Sequence, residues 1–193
     1  SLRRRQRQMC IRDSVSGDHY TISEAWLDRV QEVLDYAVDD DMYVILNIHH
    51  DTDKEYCYPD KEHLEQSLSY MTFIWEQLAD RFGDYDEHVI FESINEPRLV
   101  ETDHEWWLDM NAAECVEAVE CINEWNQNFV DVVRKTGGNN ATRYLMVPGY
   151  DASADGVLNE KFVLPTDTAE NEGKILVLSL IHISEPTRPE PIS

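Results

Sequence analysis

The sequence predicts an α/β fold built on a parallel sheet, and three observations predict it. Short apolar runs rich in β-branched residues alternate with helices of clear 3.6-residue periodicity. No G-x-G-x-x-G and no Walker motif follows any of these runs, which weakens the nucleotide-binding versions of such a sheet. Polar clusters stand instead at the C-terminal ends of the runs: His49-His50-Asp51, Asn95-Glu96-Pro97-Arg98 and Gly149-Tyr150-Asp151. In an α/β barrel that rim is where active sites are assembled. The alternation alone fits either a closed barrel or a doubly wound sheet.

The elements follow in order. Thr21-Ile22-Ser23-Glu24 has capping-box spacing and opens a first helix near Thr21. Trp26, Val30, Val33 and Ala37 then recur at helical period, and three aspartates at 39–41 end it. The run at 42–48, MYVILNI, fits a strand buried on both faces. Pro59-Asp60 opens a second helix whose stripe is Leu64, Leu68, Met71, Trp75, Leu78 and Phe82, with Gly83 as its stop. A strand follows at Val89–Ile94. A third helix covers Ala113–Lys135, with Val119, Ile122, Phe129 and Val133 inward. Strands at Arg143–Val147 and Lys174–Val177 complete the order.

Both ends of the chain look foreign to this pattern. Residues 1–14 carry a dense basic run without hydrophobic period, and residues 178–193 end in a proline-rich tail. Met9-Cys10-Ile11-Arg12-Asp13 and Leu178-Ser179-Leu180-Ile181-His182 can both be translated from one DNA element in opposite orientations. That element matches the inverted terminal sequence used in transposase-based library preparation. Residues 1–14 and 178–193 are therefore expected to be non-native, and 15–177 to be the natural segment.

The formal net charge of −23 repels nucleic acid and anionic lipid and leaves a neutral partner such as a polysaccharide admissible. No stretch is long and apolar enough to span a membrane, and no secretory signal is visible. The four cysteines, Cys10, Cys57, Cys115 and Cys121, include no C-x-x-C pair, which argues against a zinc site. The last three are expected to be partly buried thiols without chemistry.

Glu96 is the residue with the most chemistry available to it. A glutamate directly after an apolar strand is held by the sheet yet open at the rim. It could protonate a glycosidic oxygen and later deprotonate a water, while Asn95 could bond a sugar 2-hydroxyl. His49 and His50 are neighbours on a strand end, so they point to opposite faces and do not make a joint metal site. Trp106 and Trp107 could offer flat faces to sugar rings. Tyr56 and Tyr58 are weaker candidates of that kind, Tyr150 could line the cleft, and Arg98 is expected to make structural hydrogen bonds around the site.

The run VIFESINEPR at 89–98 resembles the strand-4 signature of glycoside hydrolase family 5, the cellulase-type clan of (β/α)8 barrels. YVILNIHHD (43–51), IWEQLADRFGDYDEHVIFE (74–92) and FVDVVRKTGGNNATRYLMV (129–147) are similar to the same family, especially its endoglucanases and xyloglucan-active enzymes. The resemblance covers essentially all of 15–177. It implies a partial (β/α)8 TIM barrel, about strands 3 to 6 with intervening helices; a complete barrel takes about 250 residues. It implies retaining endo-hydrolysis of cellulose- or xyloglucan-type β-1,4-glucan, with Glu96 as acid/base, Asn95 at the cleaved sugar and His49 contacting sugar. It further implies no cofactor or metal, a secreted enzyme and a monomer.

The departures from the family pattern lie at the ends. The second carboxylate that a retaining glycosidase needs comes from strand 7 in this family, and the chain is expected to stop at strand 6. The isolated polypeptide is therefore expected to be inactive and prone to aggregate through uncovered edges. Rival readings are a mannanase or xylanase on the same scaffold, or a barrel that binds carbohydrate without cleaving it.

Overall fold

The computed structural model describes residues 15–16, 20–49 and 52–180. Four strands form one all-parallel sheet in the order β3 (Val44–Asn47), β4 (Val89–Glu92), β5 (Leu145–Pro148) and β6 (Ile175–Leu178). Before them, β1 (Val15–Ser16) pairs antiparallel with β2 (Thr21–Ile22). The crossovers carry α1 (Glu24–Asp39), α2 (Leu64–Arg81) and α3 (Ala113–Lys135), and a short α4 (Ala154–Leu158) follows β5.

The alternation of side chains along each strand settles the choice between barrel and doubly wound sheet. Leu46, Phe91, Leu145 and Val147 are buried toward the helices. Phe91 lies 5.4 Å from the ring of Trp75, which meets Phe129 edge-on at 4.6 Å. Each of these aromatics withdraws enough apolar surface to be worth roughly 2–3 kcal/mol. On the opposite face lie Ile45, Asn47, Ile90, Glu92 and Met146, and Ile45 is 48% exposed. Among the described residues no helix covers that face. One-sided helices around a parallel sheet are barrel geometry, so the expectation of an α/β partial barrel holds.

Several local expectations shift. Thr21 and Ile22 are strand residues, and the Ile22 amide donates to Gln77 Oε1 at 2.9 Å, so α1 starts two residues later with Ser23 as its N-cap. Its buried stripe is Leu27 and Leu34, with Trp26, Val30 and Ala37 only partly covered and Val33 47% exposed. β3 is buried on one face only, because among the described residues no helix covers the other. α2 begins at Leu64, not at Pro59-Asp60. Asp60 Oδ1 accepts both the backbone N–H of His63 (2.8 Å) and its ring Nδ1 (2.7 Å), and this turns the chain before the helix starts. β5 begins at Leu145, two residues later than expected. β6 runs one residue past its expected end, to Leu178, and the Leu180 amide donates to the carbonyl of Ala152 at 2.6 Å. Cys57, Cys115 and Cys121 are fully buried thiols, more completely covered than expected. Cys10, the segment 1–14, His50 and the tail from residue 181 lie outside the described residues.

Candidate active site

Interior hydrogen bonds fix the C-terminal end of β4. The Asn95 amide donates to the carbonyl of Ile48 at the end of β3 (2.9 Å), and the Ser93 amide donates to Met146 of β5 (3.0 Å). Behind the strand, the Ser93 hydroxyl bonds Asn126 Oδ1 at 2.8 Å, while Asn126 Nδ2 reaches the Pro148 carbonyl at 2.8 Å. Trp75 Nε1 donates to the Ser93 carbonyl at 3.0 Å. Buried polar groups so fully paired hold a backbone in one position, and Glu96 stands on that position.

The Glu96 side chain is 17% exposed, accessible but not loose. Arg98 Nη1 lies 3.5 Å from Glu96 Oε2 and donates to the Glu96 carbonyl at 2.9 Å. Arg98 is itself pinned by Glu105 Oε1 at 3.4 Å and lies over the Trp106 ring at 4.1 Å. The expectation of structural hydrogen bonds from Arg98 is met, with a cation–π contact added. Asn95, 9% exposed, adjoins Glu96 on the same turn.

Below Glu96, on the face away from the helices, lies a pair that the sequence reading did not single out. Asn47 and Glu92 are register partners on β3 and β4, and Asn47 Nδ2 donates to Glu92 Oε1 at 2.8 Å. Glu92 is 3% exposed. Burial pushes its carboxyl up to about 7; the Asn47 hydrogen bond opposes this and the nearby Glu96 charge adds to it. The signal was present in the sequence: each is a lone polar residue closing an otherwise apolar strand, VILN and VIFE. His49, two residues after Asn47 and on the same face, places Nδ1 3.4 Å from Asn47 Nδ2.

The remaining candidates separate by exposure. Trp106 and Trp107 are 58% and 72% exposed in the connection after Arg98. Tyr150 corrects the cleft-lining expectation: it is buried, accepts from the Leu99 amide (3.0 Å) and donates to the His104 carbonyl (2.6 Å). It thereby ties the post-β4 connection to the end of β5. Gly149 and Gly156 permit this close packing, since a Cβ on either would lie within 2.4 Å of the other segment's backbone. The Asp151 amide then donates to the Pro97 carbonyl at 2.8 Å. Tyr58 is buried, with its hydroxyl on the Val100 carbonyl, and Tyr56 packs on Tyr70 at 5.1 Å. Neither presents a sugar platform. Asp60, Glu62 and His63 come together in the connection before α2, where Asp60 and His63 are already engaged in the turn that precedes the helix.

Comparison with known proteins points the same way as this geometry. The family model described as Cellulase (glycosyl hydrolase family 5) matches residues 7–179. Endoglucanase B of Ruminococcus albus is 45% identical over 151 residues, which is 78% of this chain and 35% of that protein. Among solved structures, a variant of the glycoside hydrolase 5 lichenase from Caldicellulosiruptor sp. F32, in complex with cellotetraose, superposes with TM-score 0.86 at 51% identity, covering 88% of this chain and 45% of that one. A family 5 xyloglucan-specific endo-β-1,4-glucanase from a metagenomic library, in complex with cellotriose, gives TM-score 0.77 at 36% identity, covering 88% and 47%. The chain thus spans about a third of that curated relative and less than half of each solved one.

Proposed function

The chain belongs to the cellulase family, glycosyl hydrolase family 5, and from that premise we propose that the whole enzyme is a retaining endo-β-1,4-glucanase with Glu96 as its general acid/base. The observation that carries this reading is the placement of Glu96: a partly exposed carboxylate on a rigid turn at the rim, flanked by Asn95 and steadied by Arg98. In the first step Glu96 gives its proton to the leaving glycosidic oxygen as a nucleophilic carboxylate forms the glycosyl-enzyme. In the second it takes a proton from the water that releases the sugar. Asn95 bonds the 2-hydroxyl, a contact that strengthens as the oxocarbenium-like state develops. His49 contacts sugar at the same rim, and the exposed faces of Trp106 and Trp107 stack on glucose rings.

Glu92 does not serve as the nucleophile. It closes β4, the strand that leads into the Glu96 turn, and is 3% exposed, so it cannot reach the opposite face of a sugar bound at the rim. The nucleophile in this reading comes from a later strand, in the part of the longer relatives that this chain does not span, and the polypeptide alone is inactive. A polymeric β-glucan is too large to enter a cell, which supports secretion of the enzyme. Among the described residues no helix is long and apolar enough to cross a membrane.

The test is to recover the coding sequence flanking this segment, express the complete catalytic domain and follow product anomers on β-1,4-glucan. Release of β-configured ends that disappears in Glu96→Gln is the expected result. Inverted product, or undiminished hydrolysis by Glu96→Gln, would overturn the assignment. Hydrolysis confined to mannan or xylan would retain the chemistry and correct the substrate.

A further inference from the structure

Glu92 and Asn47 have no part in the chemistry described so far, yet the chain has placed a carboxylic acid and a carboxamide face to face inside the sheet. Two buried polar groups in strands that are otherwise apolar carry a desolvation cost. Replacing both with apolar residues of similar size would suit a purely structural sheet at least as well.

The arrangement has a direction. Asn47 Nδ2 carries two hydrogens. One points to Glu92 Oε1 at 2.8 Å, and the other faces His49 Nδ1 at 3.4 Å. An amide nitrogen has no lone pair to offer, so at this contact the ring nitrogen must accept. A neutral imidazole accepts at one nitrogen and carries its proton on the other. The carboxyl thereby fixes the amide, and the amide fixes the ring. Backbone pairing keeps all three in line: Asn47 and Glu92 are register partners, and His49 follows two residues later on the same face. The Asn95 amide, bonded to the Ile48 carbonyl, locks the distance between the two strand ends.

We propose that Glu92 and Asn47 are positioning residues that hold His49 as the tautomer protonated on Nε2, so that the ring presents an N–H donor to a sugar hydroxyl beside Glu96. The sugar contact rests on the function proposed above; the tautomer relay does not, and the two can fail separately.

The tautomer is read directly by nitrogen NMR of protein labelled at its seven histidines, with the His49 signals identified by their loss in His49→Asn. The expected pattern is an unprotonated Nδ1 and a protonated Nε2 at a pH where the ring is neutral. Glu92→Leu should collapse this into the mixed tautomer pattern of a free imidazole, and Glu92→Gln, which keeps an acceptor oxygen for Asn47, should restore it. Asn47→Ser breaks the same relay by a smaller change and stands in if Glu92→Leu does not fold. A His49 ring protonated on Nδ1 in the unsubstituted protein overturns the proposal. So does a ring whose tautomer is indifferent to both Glu92→Leu and Asn47→Ser. In the complete enzyme, the same two variants should raise KM about tenfold with kcat much less affected, and Glu92→Gln should recover most of it. Intact hydrolysis with an unchanged KM would overturn the sugar-contact role. Absence of any hydrolysis in the unsubstituted complete enzyme would count against the proposed function while leaving the NMR result to decide the relay.

Discussion

The two ends of β4 both bury charge, and they do it in opposite ways. At the lower end Arg143 is 3% exposed, and its guanidinium is saturated. It bonds Asn140 Oδ1 and the carbonyls of Asp86, Val89, Gly83 and Tyr85 at 2.6–3.1 Å, with Phe82 at 3.4 Å. Every N–H direction is used, and burial pulls its pKa down only to about 10. At the upper end Glu92 has one side-chain donor among the described residues, Asn47, and its carboxyl is pushed to about 7. Glu96 above it keeps an accessible side chain. A buried charge with every bond made is a structural clamp; a carboxyl left short of donors can still hold or pass a proton.

The strongest way to sharpen that contrast is Glu96→Gln in the complete catalytic domain. The expected loss in kcat is about 10²–10⁴-fold, the usual range for removing a general acid/base, with thermal stability nearly unchanged. A comparable loss of melting temperature would make Glu96 a structural residue and erase the difference between the two ends.

Arg143→Met should do the reverse. It strips partners from the carbonyls around Arg143, and the expected destabilisation is about 3–5 kcal/mol in a denaturant titration. Arg143→Lys should recover only a fraction, since an ammonium cannot reproduce the fork of the guanidinium. Full recovery by lysine would show that charge, rather than the fork, matters at this end.

A smaller effect is expected from the pH dependence of stability. The folded-state pKa of Glu92 lies near 7, above the value of about 4.3 for an unfolded glutamate. Between those values the unfolded chain ionises first, so stability is fully present below about pH 4.3 and falls as pH rises toward 7. The shift corresponds to at most about 4 kcal/mol. Melting curves across that window should flatten in Glu92→Gln. An unchanged slope would mean that Glu92 ionises normally and that the upper end is as well satisfied as the lower.

The smallest effect belongs to Trp107→Ala. At 72% exposure its loss should alter stability by less than about 0.5 kcal/mol and weaken glucan binding by about 1 kcal/mol, a several-fold rise in KM. Unaltered KM would remove Trp107 from the substrate platform and leave Trp106, under Arg98, as the remaining candidate.

By itself the sequence determined the type and order of the main elements and singled out Glu96, the residue proposed to carry the chemistry. Periodicity placed α3 at about Ala113–Lys135, the span the helix has, because its many buried positions repeat over a long helix with few competing signals. The Asn95-Glu96-Pro97-Arg98 turn was legible because it joins an apolar strand to a dense polar cluster, and its likeness to a known signature is the source of the role proposed for Glu96. Short elements were less legible. Thr21-Glu24 has capping spacing, yet pairing with β1 and the Gln77 hydrogen bond drew Thr21 and Ile22 into a strand. No local rule contains those partners.

Only the tertiary structure decided which faces are covered and which polar groups meet. Tyr150 looks like a rim residue in sequence, and the meeting of Gly149 with Gly156 turns it inward to bond Leu99 and His104. Asn47 and Glu92 stand 45 residues apart, and parallel register alone sets them side by side. A hydrogen bond between strands depends on register, and register depends on packing across the whole sheet. Local composition can announce a lone polar residue in a strand but cannot name the one opposite it.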